Sequence, residues 1–363
     1  MATVDTYKKQ ADKYKQLFEH ERLSHTKTKI KLKAKERELH TITNSQSYKV
    51  AKILAFSKHI LRVSKNYAVA LTPKRVKMIQ SNRVHVKRVY KSVEFSKDLT
   101  TKPTSDTAVV LHLYYPEMLD YFAERLSYLT ISYDLFITLP EQKKENINAI
   151  KARFPEARIS LVPNCGRDVL PFIEVIRKIE PLGYKKVLKL HSKKSPHRDD
   201  GNDWRDRIVT NLVPKKEVIQ KDILKKLSSN KTAIIGPSGE YVSLLVNYGA
   251  TAHHTTIVIS KLFNKTDAKE LISIADEYGF FAGTMFWARI EALMPVIKSV
   301  HMTDFEPEFG QEDSTLAHAI ERLFTLVPEL EKRALYEVAP KGVAQIDYHT
   351  TNIPNWSELA LED

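Results

Sequence analysis

Apolar positions along this chain follow three patterns. From residue 107 onward, short continuous apolar runs alternate with stretches at helical spacing, the pattern of an α/β domain whose parallel strands are buried on both faces. The runs Ala108 to Tyr115, Leu135 to Thr138, Arg158 to Val162, Lys186 to Leu190 and Thr232 to Gly236 predict strands. Helical spacing predicts helices over Pro116 to Leu129, around Lys144 to Arg153, over Val169 to Ile179 and over Ile290 to Ile297. In an open sheet of this kind ligands bind beyond the carboxyl ends of the strands, so residues there are the first candidates for chemistry.

The first hundred residues differ. Residues 5 to 41 contain no Gly or Pro and are rich in Lys, Glu, Leu and Gln, which predicts a long charged helix. Its Leu17, Phe18, Leu23, Ile30, Leu32 and Leu39 are too sparse for a sustained heptad. Over 45 to 71, a helical projection gathers Val50, Ile53, Leu54, Phe56, Ile60, Leu61 and Val63 on one side and Lys52, Lys58, Arg62 and Lys65 on the other, with Lys49 inside the apolar arc. Such a basic amphipathic helix either lies on an anionic membrane or packs on the chain's own body. Over 72 to 106, Pro73, Pro103 and scattered Ser and Thr predict a linker, bounded at 76 to 106, with extended pieces such as Arg83 to Val93. The expected organisation is therefore a basic helical stalk and amphipathic helix over 1 to 75, the linker, an enzyme-like domain over 107 to 340 and a tail over 341 to 363.

Charge sharpens the division. The net charge is +13, yet residues 1 to 100 hold 24 Lys and Arg against 8 Asp and Glu, while the remainder holds 33 against 36. A basic arm on a near-neutral body calls for a polyanionic partner, and an anionic membrane surface fits best. No nucleic acid is expected, because the arm lacks an RNA-recognition or helix-turn-helix signature. One cysteine, Cys165, precludes an intrachain disulfide and fits a reducing compartment. No apolar stretch reads as a signal peptide or a membrane span, so membrane contact is expected to be peripheral, at the inner face of the plasma membrane of a cytoplasmic protein.

Four motifs sit where the pattern puts strand ends. Asn164-Cys-Gly166-Arg167-Asp168 lies between a strand and a helix. There Gly166 permits a tight turn, the helix start offers amides to an anion and Arg167 adds a bidentate donor. A plainer alternative has Asp168 capping the helix and Arg167 pairing with a carboxylate. After Leu190 come His191-Ser-Lys193-Lys194-Ser-Pro-His-Arg198, a cluster suited to neutralising a diphosphate or simply solvated. Phe281-Ala-Gly283-Thr284-Met-Phe286-Trp287 offers aromatics as a sugar platform or as core. Glu312 and Asp313 stand at an expected helix start, as reactive carboxylates or as acidic capping residues.

Taken together and in this order, these motifs, with Trp204-Arg205 and the run Gly310-Gln-Glu-Asp-Ser-Thr-Leu-Ala-His-Ala-Ile-Glu-Arg322, resemble the rhamnan synthesis protein F family of bacterial surface polysaccharides over about 107 to 335. The layout is also similar to the GT-A glycosyltransferase fold, a Rossmann-type, mainly parallel sheet flanked by helices. The resemblance implies a glycosyltransferase that moves a sugar from a nucleotide-diphosphate donor, such as dTDP-L-rhamnose, to a lipid-linked glycan acceptor. It nominates Asp313 as base, with Glu312 next. Strand-end position adds His112, Tyr114, Asn164 and His191 to the donor side, beside Lys193, Lys194 and Arg198. Gly283, Thr284, Phe286 and Trp287 take the acceptor or sugar side. Where GT-A enzymes carry an Asp-x-Asp metal motif, this chain reads Leu190-His-Ser-Lys193. No cofactor is therefore assigned, and Mg²⁺ or Mn²⁺ is left open, with Asp199, Asp200 and Asp203 nearby. The alternative from another class is a non-catalytic targeting or scaffold subunit of a polysaccharide-assembly complex.

Overall fold

The structure, a computed structural model, describes residues 103–192, 201–244, 251–263, 278–306, 308 and 315–346. The stalk, the amphipathic helix and most of the linker lie outside the described residues. The expected α/β class is what the chain adopts. Eight strands form the main sheet in the order β10-β9-β5-β8-β4-β1-β2-β3.

Strands β1 (Thr107–His112), β2 (Asp134–Pro140), β3 (Arg158–Val162) and β4 (Lys186–His191) are mutually parallel, with β1 between β2 and β4. Each is a nearly continuous apolar run because helices cover both faces. On one face lie α1 (Leu119–Leu126), α2 (Ile147–Arg153), α4 (Gly201–Leu212) and α5 (Glu217–Ser228), packed through Phe122, Ile150, Ile208 and Ile223. On the other lie α3 (Val169–Ile179), α6 (Ala252–Phe263), α7 (Ile290–Ser299) and α8 (Leu316–Leu330), packed through Phe172, Ile259, Val296 and Leu323.

The second half of the sheet departs from the simple alternation. Strand β8 (Phe286–Arg289) enters antiparallel between β4 and β5 (Thr232–Pro237). Beyond β5, β9 (Ala334–Ala339) pairs in parallel and β10 (Gly342–Gln345) returns antiparallel at the edge. The expected tail at 341 thus opens as an edge strand. A separate two-stranded ribbon pairs β6 (Tyr241–Ser243) with β7 (Gly279–Phe281) and leads through a tight turn into β8.

Element bounds follow local chemistry. Strand β1 stops at His112 rather than Tyr115, because the chain turns into a short 3-10 segment opened by Pro116. At the opposite end of the sheet Asp134 accepts from Tyr184 Oη at 2.7 Å and from Thr104 N at 3.0 Å, and pairs with Arg158 at 3.1 Å. Burial pushes this carboxyl up, but the hydrogen bonds from Tyr184, Thr104 and Arg158 prevail and hold it below the usual range.

Candidate functional site

Strand order reverses at β1. The chain moves outward through β2 and β3 along one face, then recrosses by α3 on the other face to place β4 on the far side of β1. Such a switch point leaves a crevice beyond the carboxyl ends of the two strands that flank it. Here those ends are His112 and His191, which face each other in register. The in-register row continues through Thr138 to Ser160. The face that carries α3 therefore ends in a buried polar rim of His191, His112, Thr138 and Ser160.

One step inside that rim, Lys189 is 1% exposed. A buried ammonium is tolerated only when paired and hydrogen-bonded. Its Nζ donates to the Asp168 carboxylate and to Thr284 O at 2.8 Å, and lies 5.4 Å from the centre of the Phe172 ring. Asp168, at the start of α3, makes no side-chain capping bond, so its carboxylate serves the lysine and not the helix. His191 Nε2 donates to Gly283 O at 2.6 Å and stands 3.8 Å from the same carboxylate. His112 Nδ1 is 2.9 Å from Thr138 Oγ1. Burial pushes the His112 imidazole down to about 3; Asp168 opposes the shift, and His191 and Lys189 add to it. His112 is therefore a neutral hydrogen-bonding group throughout the physiological range.

The turn between β7 and β8 closes the site. Gly283 has φ +90° and Thr284 φ +54°. A β-branched residue in the left-handed region costs of order 1–3 kcal/mol and persists only where its surroundings fix it. Three side chains do so: Glu321 of α8 accepts from Gly283 N at 2.9 Å, His191 holds Gly283 O and Lys189 holds Thr284 O.

A second left-handed pair, Gly166 at φ +65° and Arg167 at φ +55°, forms the turn before α3. The Arg167 amide and guanidinium both meet the Glu308 carboxylate, at 3.1 and 3.7 Å. Burial raises the Glu308 pKa, while Arg167 opposes that rise. Nearby, Glu306 pairs with His254 at 2.9 Å and accepts from Leu316 N at 3.0 Å, and Cys165 Sγ donates to Glu306 O at 3.4 Å. Burial pushes Glu306 up, yet the His254 contact and the backbone donors leave it below its ordinary value.

The expected site residues divide into three groups. His112, Gly166, Arg167, Asp168, His191, Gly283 and Thr284 come to the carboxyl edge as the strand pattern implies. Tyr114 is there too, half-buried and edge-on to Tyr115 at 4.9 Å, while Asn164 is exposed on the turn. Lys193, Lys194, Arg198, Glu312 and Asp313 lie outside the described residues.

Two expectations need correction. Phe286 and Trp287 form no sugar platform: each is 1% exposed, because consecutive strand residues point to opposite faces and both faces are covered. Phe286 packs edge-on against Phe172 and Phe324, and Trp287 Nε1 donates to Leu212 O at 2.8 Å. The helix expected to start at Glu312 and Asp313 instead begins at Leu316. Thr315 is its N-cap, bonded to His318 Nδ1 at 2.7 Å.

Sequence reasoning missed Lys189, Thr138, Glu308 and Glu321. It named Trp204 only within the family pattern and gave it no role, yet this is the aromatic that adjoins the Gly283 turn: a Cβ placed on Gly283 would lie 3.2 Å from its ring. The Trp204 indole donates to Glu240 at 2.7 Å. A lysine inside an otherwise apolar strand was the one available signal, since such a position demands a partner.

The described residues contain no helix long and apolar enough to cross a membrane and no cluster of three or more His, Cys, Asp or Glu disposed to hold a metal. Two proteins called "Uncharacterized protein WxcX", from strain B100 and a second strain of Xanthomonas campestris pv. campestris, are each 35% identical to this chain, over 239 and 233 residues. Each alignment covers 63% of this chain and 32% of the relative, so the chain spans about a third of their length. The family model described as "Rhamnan synthesis protein F" matches residues 5–332. This chain, with its buried polar site at the switch point of an α/β sheet, belongs to the rhamnan synthesis protein F family.

Proposed function

We propose that the chain is a glycosyltransferase that moves a sugar from a nucleotide-diphosphate donor to a growing cell-surface polysaccharide, with inversion. The observation that carries the reading is the Asp168–Lys189–His191 cluster, buried at the carboxyl ends of β1 and β4 in a family tied to rhamnan synthesis. The strand order, with one antiparallel strand inserted after four parallel ones, supports the GT-A resemblance.

In this reading the acceptor hydroxyl attacks the anomeric carbon and gives its proton to Asp313, with Glu312 as the neighbouring carboxylate. The new glycosidic bond forms as the bond from the anomeric carbon to the phosphate oxygen breaks. The nucleoside diphosphate leaves with its charge met by Lys193, Lys194, Arg198 and Arg167. His112, Tyr114 and Asn164 line the nucleotide side as neutral hydrogen-bonding groups. The basic first hundred residues hold the enzyme at an anionic membrane, next to a lipid-linked acceptor. The same charge also favours a second reading, a non-catalytic subunit that targets partner transferases.

Calorimetric titration of the purified chain with UDP, GDP and dTDP, first with EDTA and then with Mg²⁺ or Mn²⁺, tests both. Saturable binding of one nucleotide supports the transferase and names its donor class, and the two arms report the need for metal. Failure of every nucleotide to bind in both arms favours the targeting subunit.

A further inference from the structure

The Gly283–Thr284 turn is held more firmly than its length requires. Its backbone is gripped by three side chains from two elements, Lys189 and His191 of β4 and Glu321 of α8. Two of these grips depend on a further charge, because Asp168 neutralises Lys189 and stands beside His191. The turn keeps a β-branched residue at φ +54°, where glycine or asparagine would be relaxed. All this surrounds a threonine that is 4% exposed and whose hydroxyl has no hydrogen-bond partner among the described residues. The hydroxyl oxygen keeps a little accessible surface, through which water or a ligand can meet it.

Position says what the hydroxyl meets. Because Phe286 pairs with Lys189 across β4 and β8, continuing the register brings Thr284 level with His191, the last residue of β4, at the carboxyl edge of the sheet. The cation that holds the turn, Lys189, is neutralised by Asp168. Gly283 leaves its Cα face against Trp204, where a Cβ would come within 3.3 Å of both Trp204 and Ile208. A neutral hydroxyl on a fixed turn at the strand ends suits a ligand that is itself neutral and hydroxylated.

We infer that Thr284 is the specificity-determining residue of a sugar subsite, and that Lys189 and Glu321 are positioning residues that hold its strained turn. This rests on the transferase reading and names the part of the donor that Thr284 reads: a hydroxyl of the sugar, not the nucleotide. The subsite replaces the aromatic platform that Phe286 and Trp287 do not provide.

The test compares two affinities in the full-length chain: that for the nucleotide found to bind, and that for its sugar conjugates, with dTDP-L-rhamnose among them. In Thr284→Val, which keeps the shape and removes the hydroxyl, the conjugate is expected to bind about tenfold more weakly while the bare nucleotide binds as before. Thr284→Ser retains the hydroxyl and should restore the conjugate to within a factor of about two. Lys189→Met should impair the conjugate selectively as well, and circular dichroism checks that each variant is folded. Equal losses for nucleotide and conjugate, or a Val variant indistinguishable from the unsubstituted chain, overturn the assignment of Thr284 while leaving the transferase standing. Absence of nucleotide and conjugate binding in the unsubstituted, folded chain overturns both.

Discussion

Glu329 shows how burial acts on a single carboxyl here. It sits near the end of α8, accepts from Tyr241 Oη at 2.9 and 3.0 Å, and burial pushes its pKa up to about 8 from an ordinary 4.5. A carboxyl raised on folding binds its proton more tightly in the native state, so its contribution is present below pH 4.5 and is lost as pH rises toward 8. Glu329→Gln, which keeps an acceptor for Tyr241 without the ionisation, should raise the melting temperature at pH 8 and leave it nearly unchanged at pH 4.5. Melts at the two pH values check this; an equal shift at both would mean that packing, not ionisation, governs the position. His112 runs the other way. Its pKa is depressed to about 3, so its contribution is complete above pH 6.5 and fades as pH falls toward 3. At this scale the sequence was legible where position along a strand decides where a residue comes to lie, as with His112 and His191. Lys189 was not, because its partner Asp168 lies 21 residues upstream and reaches it only once α3 has crossed the sheet.

Turns set the elements around the site, and Gly166 is a position where a side chain would be poorly tolerated. A Cβ there would come 2.5 Å from Leu170 Cβ and 2.8 Å from the Phe305 ring, on a backbone already at φ +65°. Gly166→Ala combines left-handed strain with overpacking and should destabilise the fold by about 2 kcal/mol or more. A denaturant melt measures it, and a loss below about 0.5 kcal/mol would show that the turn relaxes freely. The same turn ties Arg167 to Glu308. If Asp313 is the base, Asp313→Asn should lower turnover by about 10²–10⁴-fold with the fold intact; retained turnover in a sugar-transfer assay would remove it from that role. Strands β1 to β5 were readable because a strand covered on both faces must be a continuous apolar run. The insertion of β8 was not, since Phe286 and Trp287 look alike as a binding platform and as two faces of a buried strand. Nor was the hairpin of β9 and β10, whose outer strand is a short, exposed edge without an apolar run.

At the scale of the whole molecule, charge divides the chain. Residues 1 to 75 carry 18 Lys and Arg against 6 Asp and Glu, leaving 39 against 38 in the rest, so nearly the whole net charge of +13 resides in the arm. Near an anionic bilayer each such cation contributes about 1 kcal/mol, an effect that fades within a Debye length and is screened by salt. The full chain should therefore sediment with phosphatidylserine vesicles at low salt, release them as salt is raised and ignore neutral vesicles. Exchanging Lys52, Lys58, Arg62 and Lys65 for Gln isolates the amphipathic stretch. If that helix lies on the membrane, the four changes should abolish most vesicle binding while leaving nucleotide binding untouched. If its apolar face packs on the body instead, vesicle binding should fall only in proportion to the charge removed, and the wider arm would carry the attraction. Vesicle binding that ignores both salt and these substitutions would mean that the arm's charge serves a protein partner, which is what a targeting subunit requires.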